Sequence, residues 1–136
     1  MAERRMLAKS IIDTDQFMNM SLSARMLYVD LAIRADDDGF ISPKKVMRMT
    51  EATEEDLKEL VMNDYLFQFS TGIVVIIDWV IHNTIRRDMY HKSLYTKERA
   101  LIKIPPPPSA RKKTDNLRYE LLPKKGESDV YVVSYS

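Results

Sequence analysis

The chain has 136 residues, 45% hydrophobic and 30% charged, a composition that suits one compact domain with a real core and a short extension. It contains no cysteine, which excludes disulfides, thiolate zinc sites and thiol nucleophiles and fits a reducing cytoplasm. The net charge of +1 hides a division: residues 1–83 carry 9 Lys/Arg against 14 Asp/Glu (−5), and residues 84–125 carry 12 against 4 (+8). An acidic body followed by a basic segment points to a polyanionic partner, against the plainer reading of a solvated basic tail.

In chain order, Asp13 is placed to cap a short helix over residues 14–20, with Phe17 and Met18 facing inward. Ser21 then caps a stronger helix in which Leu22, Met26, Val29 and Ile33 recur at spacings of three and four, with Leu27 and Leu31 widening the stripe. Asp36-Asp37-Asp38-Gly39 ends it, and Phe40-Ile41 is long enough for one strand-pairing step. Ser42-Pro43 opens a second helix, with Val46 and Met49 inward and Lys44, Lys45 and Arg48 outward. Thr53 opens a third, acidic in its first turn and carrying Leu57, Leu60 and Val61 as its core stripe.

The period then changes. Residues 65–69 read as a strand, Ser70-Thr71-Gly72 as a turn, and residues 73–80 as a β-branched strand. A further helix is expected around residues 96–103. Pro105 to Pro108 form a stiff spacer, and residues 130–135 alternate like a strand that would pair with 117–122. The order helix, short strand, helix, helix, hairpin predicts an α+β, mainly helical fold. It is that of a winged helix-turn-helix with a three-helix core, a β-hairpin wing, an N-terminal arm and a C-terminal extension. The domain would cover residues 1–104, with 105–136 as a proline spacer and basic tail that is either a weak β-hairpin or disordered.

Several ordered segments carry a resemblance: Ala2-Glu3-Arg4-Arg5-Met6, Lys9-Ser10-Ile11-Ile12-Asp13, Leu22-Ser23-Ala24 and Arg34-Ala35-Asp36-Asp37-Asp38-Gly39-Phe40. Pro43-Lys44-Lys45, Arg48-Met49, Ile81-His82-Asn83, Ile85-Arg86, Asp88 and Tyr95 continue it. Over about three-quarters of its length the chain resembles the N-terminal domain of phage-type replisome organizers, relatives of the DnaD-like primosome proteins. The resemblance implies a winged helix in a bacterial host cytoplasm and a role in starting phage DNA replication. It also implies partners in the replication machinery, such as a replicative helicase or its loader. Such proteins usually continue into a further C-terminal domain, whose activities are not carried over. Relatives also tend to have an arginine two residues before the post-wing tyrosine, where this chain reads Asp88-Met89-Tyr90.

The third helix offers Glu54, Glu55, Asp56 and Glu59 against a single Lys58, which repels phosphates. These acids serve the helix dipole or, in Glu54, Glu55 and Glu59, a partner-protein surface. Double-stranded DNA contact is expected instead from Lys44, Lys45 and Arg48, which read equally well as a solvated face, and from Arg86, Arg87, Tyr90, Lys92, Tyr95, Lys97 and Arg99. There cations hold phosphate and aromatics stack on bases. Tyr90 and Tyr95 read equally well as core residues. Arg4, Arg5 and Lys9 make a weaker candidate for a groove-reaching arm, and an ordinary frayed terminus reads nearly as well. The wing tip carries no Lys or Arg, so deep groove insertion by it is not expected. The apolar strand at 73–77 would be covered by a flanking segment or used for homo-oligomerisation.

Asp36-Asp37-Asp38-Gly39 lacks the alternating spacing of a calcium loop and reads as a capping turn. His82 and His91 make no zinc site, and His82 reads as structural. No metal, cofactor or enzymatic activity is expected, since no nucleophile elbow, P-loop or dinucleotide fingerprint is present. The longest apolar run, residues 73–77, is far short of the ~20 residues that span a bilayer, and the opening residues lack the apolar run of a signal peptide. The leading reading is a non-enzymatic DNA-binding protein of phage replication initiation. A primosome assembly module and a phage transcriptional regulator on the same fold are the alternatives.

Overall fold

A computed structural model describes residues 4–123 and 129–135. The fold is α+β and mainly helical. Among the described residues the α elements are α1 (Lys9–Ile12), α2 (Asp15–Met18), α3 (Leu22–Arg34), α4 (Pro43–Thr50), α5 (Glu54–Met62), α6 (Trp79–His82) and α7 (Thr96–Arg99). The strands are β1 (Phe40–Ile41), β2 (Leu66–Gln68), β3 (Val74–Ile76), β4 (Ile102–Lys103) and β5 (Glu120–Leu121). No described helix is long and apolar enough to cross a membrane.

The first sheet is antiparallel in the order β1-β3-β2, with Phe40 opposite Val75 and Leu66 opposite Ile76. Its turn is the one the sequence predicts. Gly72 takes φ +91°, and its amide donates to Phe69 O at 2.8 Å. β3 is shorter than residues 73–80, because Asp78 breaks the extended run. Its carbonyl accepts from the Ile81 and His82 amides, starting the single turn of α6. Ala100 likewise ends α7, and residues 102–103 pair with β5 rather than extending a helix to 103.

α3 buries only one side of the expected stripe, Leu27 and Leu31, and turns the other side outward. Ala24, Leu27, Tyr28, Leu31 and Ala32 are at most 1% exposed, whereas Leu22, Met26 and Ile33 are 68%, 51% and 55% exposed. The helix is apolar on two sides, so spacing alone does not choose between them. Packing does: the small Ala24 and Ala32 let neighbouring elements approach closely. Tyr28 adds edge-on contacts with Phe17 and Tyr65, at centroid distances of 5.5 and 5.6 Å.

Smaller shifts follow the same logic. Thr14, not Asp13, caps α2 by accepting from the Phe17 amide at 3.2 Å, and Met18 faces solvent. In α4, Met47 is buried and Met49 is 58% exposed, the reverse of the assignment from sequence. α5 begins with a full capping box: Asp56 N donates to Thr53 Oγ1, and Thr53 N donates to Asp56 Oδ2.

Asp56 and Glu59 do not lie on a free acidic face. Asp56 is buried and accepts from Ser23 Oγ at 2.6 Å. The Glu59 carboxylate accepts from Ser21 N and Ser21 Oγ, both at 2.8 Å, at the positive end of α3. For Asp56, burial raises the pKa, but the hydrogen bonds from Ser23 and Thr53 outweigh it and hold the carboxyl below its ordinary value. Two acids of α5 thus fasten it to α3.

Residues 130–135 do not pair with 117–122. Val132 bridges to Phe69, Ser70 N donates to Tyr131 O at 2.8 Å, and Val133 N donates to Gln68 O. The tail therefore covers the outer edge of the hairpin, where β2 would otherwise present unpaired amides and carbonyls. Tyr119 is 3% exposed and donates its amide to Ile77 O. With Val74, Val75, Ile76 and Ile77 all buried and the edge occupied, the strand takes the first of its two expected fates, cover by a flanking segment rather than a free apolar surface.

Two predictions follow from the packing. At Gly39 (φ +88°), an added Cβ would sit 2.7 Å from Trp79 Cγ, whereas at Gly72 nothing lies within 4 Å. Gly39→Ala combines backbone strain with overpacking and should cost about 2–5 kcal/mol in urea denaturation. Gly72→Ala should cost only the backbone part, about 1–2 kcal/mol.

The second concerns His82, which is buried between the N-terminal segment and the core. Its Nδ1 accepts from Ala8 N at 2.9 Å, so the neutral ring carries its proton on Nε2, facing Tyr28 Oη at 2.6 Å. Burial lowers its pKa from 6.5, with Asp78 opposing. The unfolded chain then binds a proton that the folded chain resists. Stability should be flat above about pH 7 and fall as pH drops below the unfolded value. The fall in wild type, absent from His82→Gln over about pH 5–7, should appear in thermal denaturation at about 1.4 kcal/mol per unit of depression.

Candidate nucleic-acid interface

The candidate surface begins with α4. Pro43 fixes φ at the first helical position, and Pro43, Val46 and Met47 are buried. The 3.6-residue period then turns Lys44, Lys45 and Arg48 to the opposite side, where all three are exposed. Lys44 and Arg48 are one turn apart, as are Lys45 and Met49, the last of which the sequence reading places in the core. Met47 and Met49 compete for one inward position, and the spacing alone does not choose between them.

The second basic stretch, residues 84–99, has almost no regular structure of its own until α7. It is held by the turn that follows α3. Asp38 Oδ1 accepts from Tyr90 Oη at 2.7 Å, and its Oδ2 accepts from Ser93 N at 2.8 Å and Arg99 Nε at 3.1 Å. Asp36 Oδ2 accepts from Ser93 Oγ at 2.6 Å. Its Oδ1 accepts from the amides of Asp38 and Phe40, which is the capping turn expected from sequence. Asp37 Oδ2 accepts from His91 N at 3.0 Å. Burial raises the Asp36 pKa, with the bonds from Ser93, Phe40 and Asp38 opposing. Burial, together with the bond to Asp38 and its charge, pushes Tyr90 up to about 12. Its hydroxyl therefore stays a donor at every physiological pH.

These contacts sort the cations read from sequence. Arg99 is paired with Asp38 and its side chain is 26% exposed, so it anchors the loop. Tyr90 is tied by its hydroxyl, and Tyr95 packs on the core cluster. Arg5 is the clearest correction. Its side chain is 3% exposed and donates to Ala35 O at 2.8 Å and Asp37 Oδ1 at 2.9 Å, and its guanidinium lies 5.1 Å from the Trp79 ring centroid. It is a structural residue, not part of a solvent-facing arm. Arg4 and Lys9 are exposed.

Arg86 pairs with Asp88 at 2.9 Å, but both side chains are more than 60% exposed. Such a pair is worth about 0–1 kcal/mol and yields readily to a stronger anion. Lys44, Lys45, Arg48, Arg87, Lys92 and Lys97 are exposed and make no ion pair among the described residues. On α5, Glu54 and Glu55 remain exposed, Asp56 and Glu59 are engaged with α3, and Lys58 lies 5.6 Å from the Tyr135 ring centroid. That helix therefore presents acids without a free cation. No group of three or more His, Asp or Glu among the described residues is arranged to hold a metal ion.

If Asp38 holds the basic loop, Asp38→Ala should detach it while leaving the core intact. Ser93 N and Arg99 lose their acceptor, and because Tyr90 and Arg99 can partly reach water, the cost should be about 2–3 kcal/mol. Amide exchange should accelerate at residues 91–99 well before the α3–α5 core. A loss below about 0.5 kcal/mol would show that the loop is held elsewhere.

Comparison of the chain with family models, curated proteins and solved structures finds no match.

Proposed function

We propose that this chain is a winged-helix module that binds duplex DNA through phosphate contacts and serves the start of phage DNA replication. The observation that carries the reading is the segregation of cations. Arg5, Arg99 and Arg118 are held on carboxylates of the fold, whereas Lys44, Lys45, Arg48, Arg87, Lys92 and Lys97 face solvent with no ion-pair partner among the described residues. The chain order α3, β1, α4, α5, hairpin, with strand order β1-β3-β2, supports the winged-helix reading. The role in replication rests on the resemblance to replisome organizers.

The mode of contact departs from major-groove reading by the third helix. α5 has Glu54 and Glu55 at its exposed start, which phosphates repel, so α4 and the Asp38-anchored loop are the contacting parts. Affinity then comes mainly from counterion release, and selectivity from few base contacts or DNA shape. A second reading, docking to a replication protein, is favoured by Leu94, which stands 92% exposed on the same loop, and by the free Glu54 and Glu55.

Fluorescence anisotropy of labelled duplex, titrated at several salt concentrations, tests the proposal. Wild type should bind with a steep negative salt slope, about 0.9 per phosphate contact. Replacing Lys44, Lys45 and Arg48 by alanine should lower that slope by about 2–3, as should replacing Arg87, Lys92 and Lys97. Reversing Glu54 and Glu55 to lysine should not weaken binding. Absence of binding at low salt would sink the DNA reading and leave protein docking through Leu94 as the one to pursue.

A further inference from the structure

α3 carries an apolar seam that its own fold does not use. Leu22, Met26, Val29 and Ile33 are spaced four, three and four residues apart, which puts them on one face at 3.6 residues per turn. That face is opposite the buried one formed by Ala24, Leu27, Tyr28 and Leu31. Leu22, Met26 and Ile33 are each more than half exposed, and Val29 is half-buried. Met18, 55% exposed, extends the patch at its N-terminal end, 3.8 Å from Arg25 Nη1. Four large apolar side chains aligned along thirteen helical residues form a continuous stripe, unlike the scattered apolar residues of an ordinary surface.

The spacing is that of a coiled-coil seam, with Leu22 and Val29 at d positions and Met26 and Ile33 at a positions. That register puts Arg25 at g and Asp30 at the following e, five residues later. In a parallel pair of helices, g faces the e′ position five residues on in the partner. Arg25 of each copy then meets Asp30 of the other, twice across a two-fold axis. In an antiparallel pair with the same four side chains overlapped, Arg25 would lie nearest Ala32 and Asp30 nearest Ser23, so that arrangement lacks both ion pairs. The flanking charges are complementary to the same helix in a second copy, in one orientation.

We infer that the chain self-associates through α3, as a parallel two-fold pair seamed by Leu22, Met26, Val29 and Ile33 and flanked by Arg25–Asp30 ion pairs. Asp30 now bonds Arg34 at 3.2 Å, a solvent-facing pair that exchanges at little cost for one at a drier seam. The helix is already folded by its core face, so association does not bear the ordering cost of a free peptide. Two heptads per copy make a small interface, and its affinity should be in the roughly micromolar range. The surface uses none of the cations on α4 or at 86–97, so this inference and the DNA reading stand or fall separately.

Sedimentation velocity of the full chain, from a few micromolar up to roughly 0.5 mM, tests it. Wild type should shift from monomer to dimer. Met26→Glu, at an exposed position and checked for folding by circular dichroism, should weaken the dimer at least tenfold. Arg25→Asp or Asp30→Arg alone should do the same by placing like charges in contact, and the double variant Arg25→Asp/Asp30→Arg should restore the dimer. The inference is overturned if wild type stays monomeric throughout, or if Met26→Glu still dimerises. It is overturned equally if Arg25→Asp alone leaves the dimer unchanged, or if the double variant fails to recover it while remaining folded.

Discussion

Three successive carboxylates at the end of α3 would be expelled into water in most folds, because burying charge without partners costs several kcal/mol. Here Asp37 and Asp38 are 4% and 5% exposed, and the turn they form with Gly39 gathers the rest of the chain around it. The N-terminal segment arrives as Arg5 on Asp37 and Ala35 O. The post-hairpin loop arrives as Tyr90, Ser93 and Arg99 on Asp38. Trp79 Nε1 donates to Asp37 O at 2.9 Å, and Tyr119 Oη donates to Asp38 O at 2.7 Å. Gly39 leaves room for the Trp79 ring. Four segments far apart in sequence thus have one common acceptor cluster, and each carboxylate is desolvated only because the others' partners surround it.

That arrangement explains which parts of the fold were legible in the sequence. Helix and hairpin order follows from local signals: Ser21 as a cap, Pro43 at a first turn, Thr53 with Asp56, and Gly72 in a tight turn. Each acts within four residues. The Asp36–Gly39 turn was readable as a cap, because Asp36 Oδ1 meets the amides of Asp38 and Phe40. Its partners at positions 5, 90, 93, 99 and 119 were not, because no spacing rule links residues more than thirty positions apart. For the same reason the tail was assigned the wrong mate. Residues 130–135 alternate like a strand, and only the three-dimensional fold reveals that the unpaired edge is at Gln68 to Ser70.

The candidate interface was legible in charge and illegible in commitment. Composition places a basic stretch at 84–125 but cannot say which cations the fold has already used. Arg5 and Lys45 look alike in sequence, yet one is enclosed by Ala35 O, Asp37 and Trp79 while the other faces solvent. The fold uses arginine for its internal pairs: Arg5, Arg99 and Arg118 each meet a carboxylate that is at most 6% exposed in its side chain. A planar guanidinium can bond a carboxylate and a backbone carbonyl together, as Arg5 and Arg118 do. The lysines, with compact and strongly hydrated charge, stay outside, where they can meet phosphate. On α5 the same separation works in reverse: Asp56 and Glu59 secure α3, leaving only two free acids at the helix start.

α3 joins these two economies. Its inner face carries the core and its C-terminal end delivers the carboxylate turn that anchors the basic loop. Its outer face carries a seam that contributes nothing to the monomer. A phosphate-binding surface built from a few lysines is weak and salt-sensitive in a single copy. Pairing two copies along α3 would let the second surface engage at the effective concentration set by the first, raising avidity by orders of magnitude without a new DNA contact, provided both surfaces reach one duplex. An apolar stripe left exposed on the monomer has a physical reason if the unit that meets DNA is the pair. The helix that the sequence marked most strongly would then serve both faces, and the ambiguity in its periodicity would reflect two real interfaces.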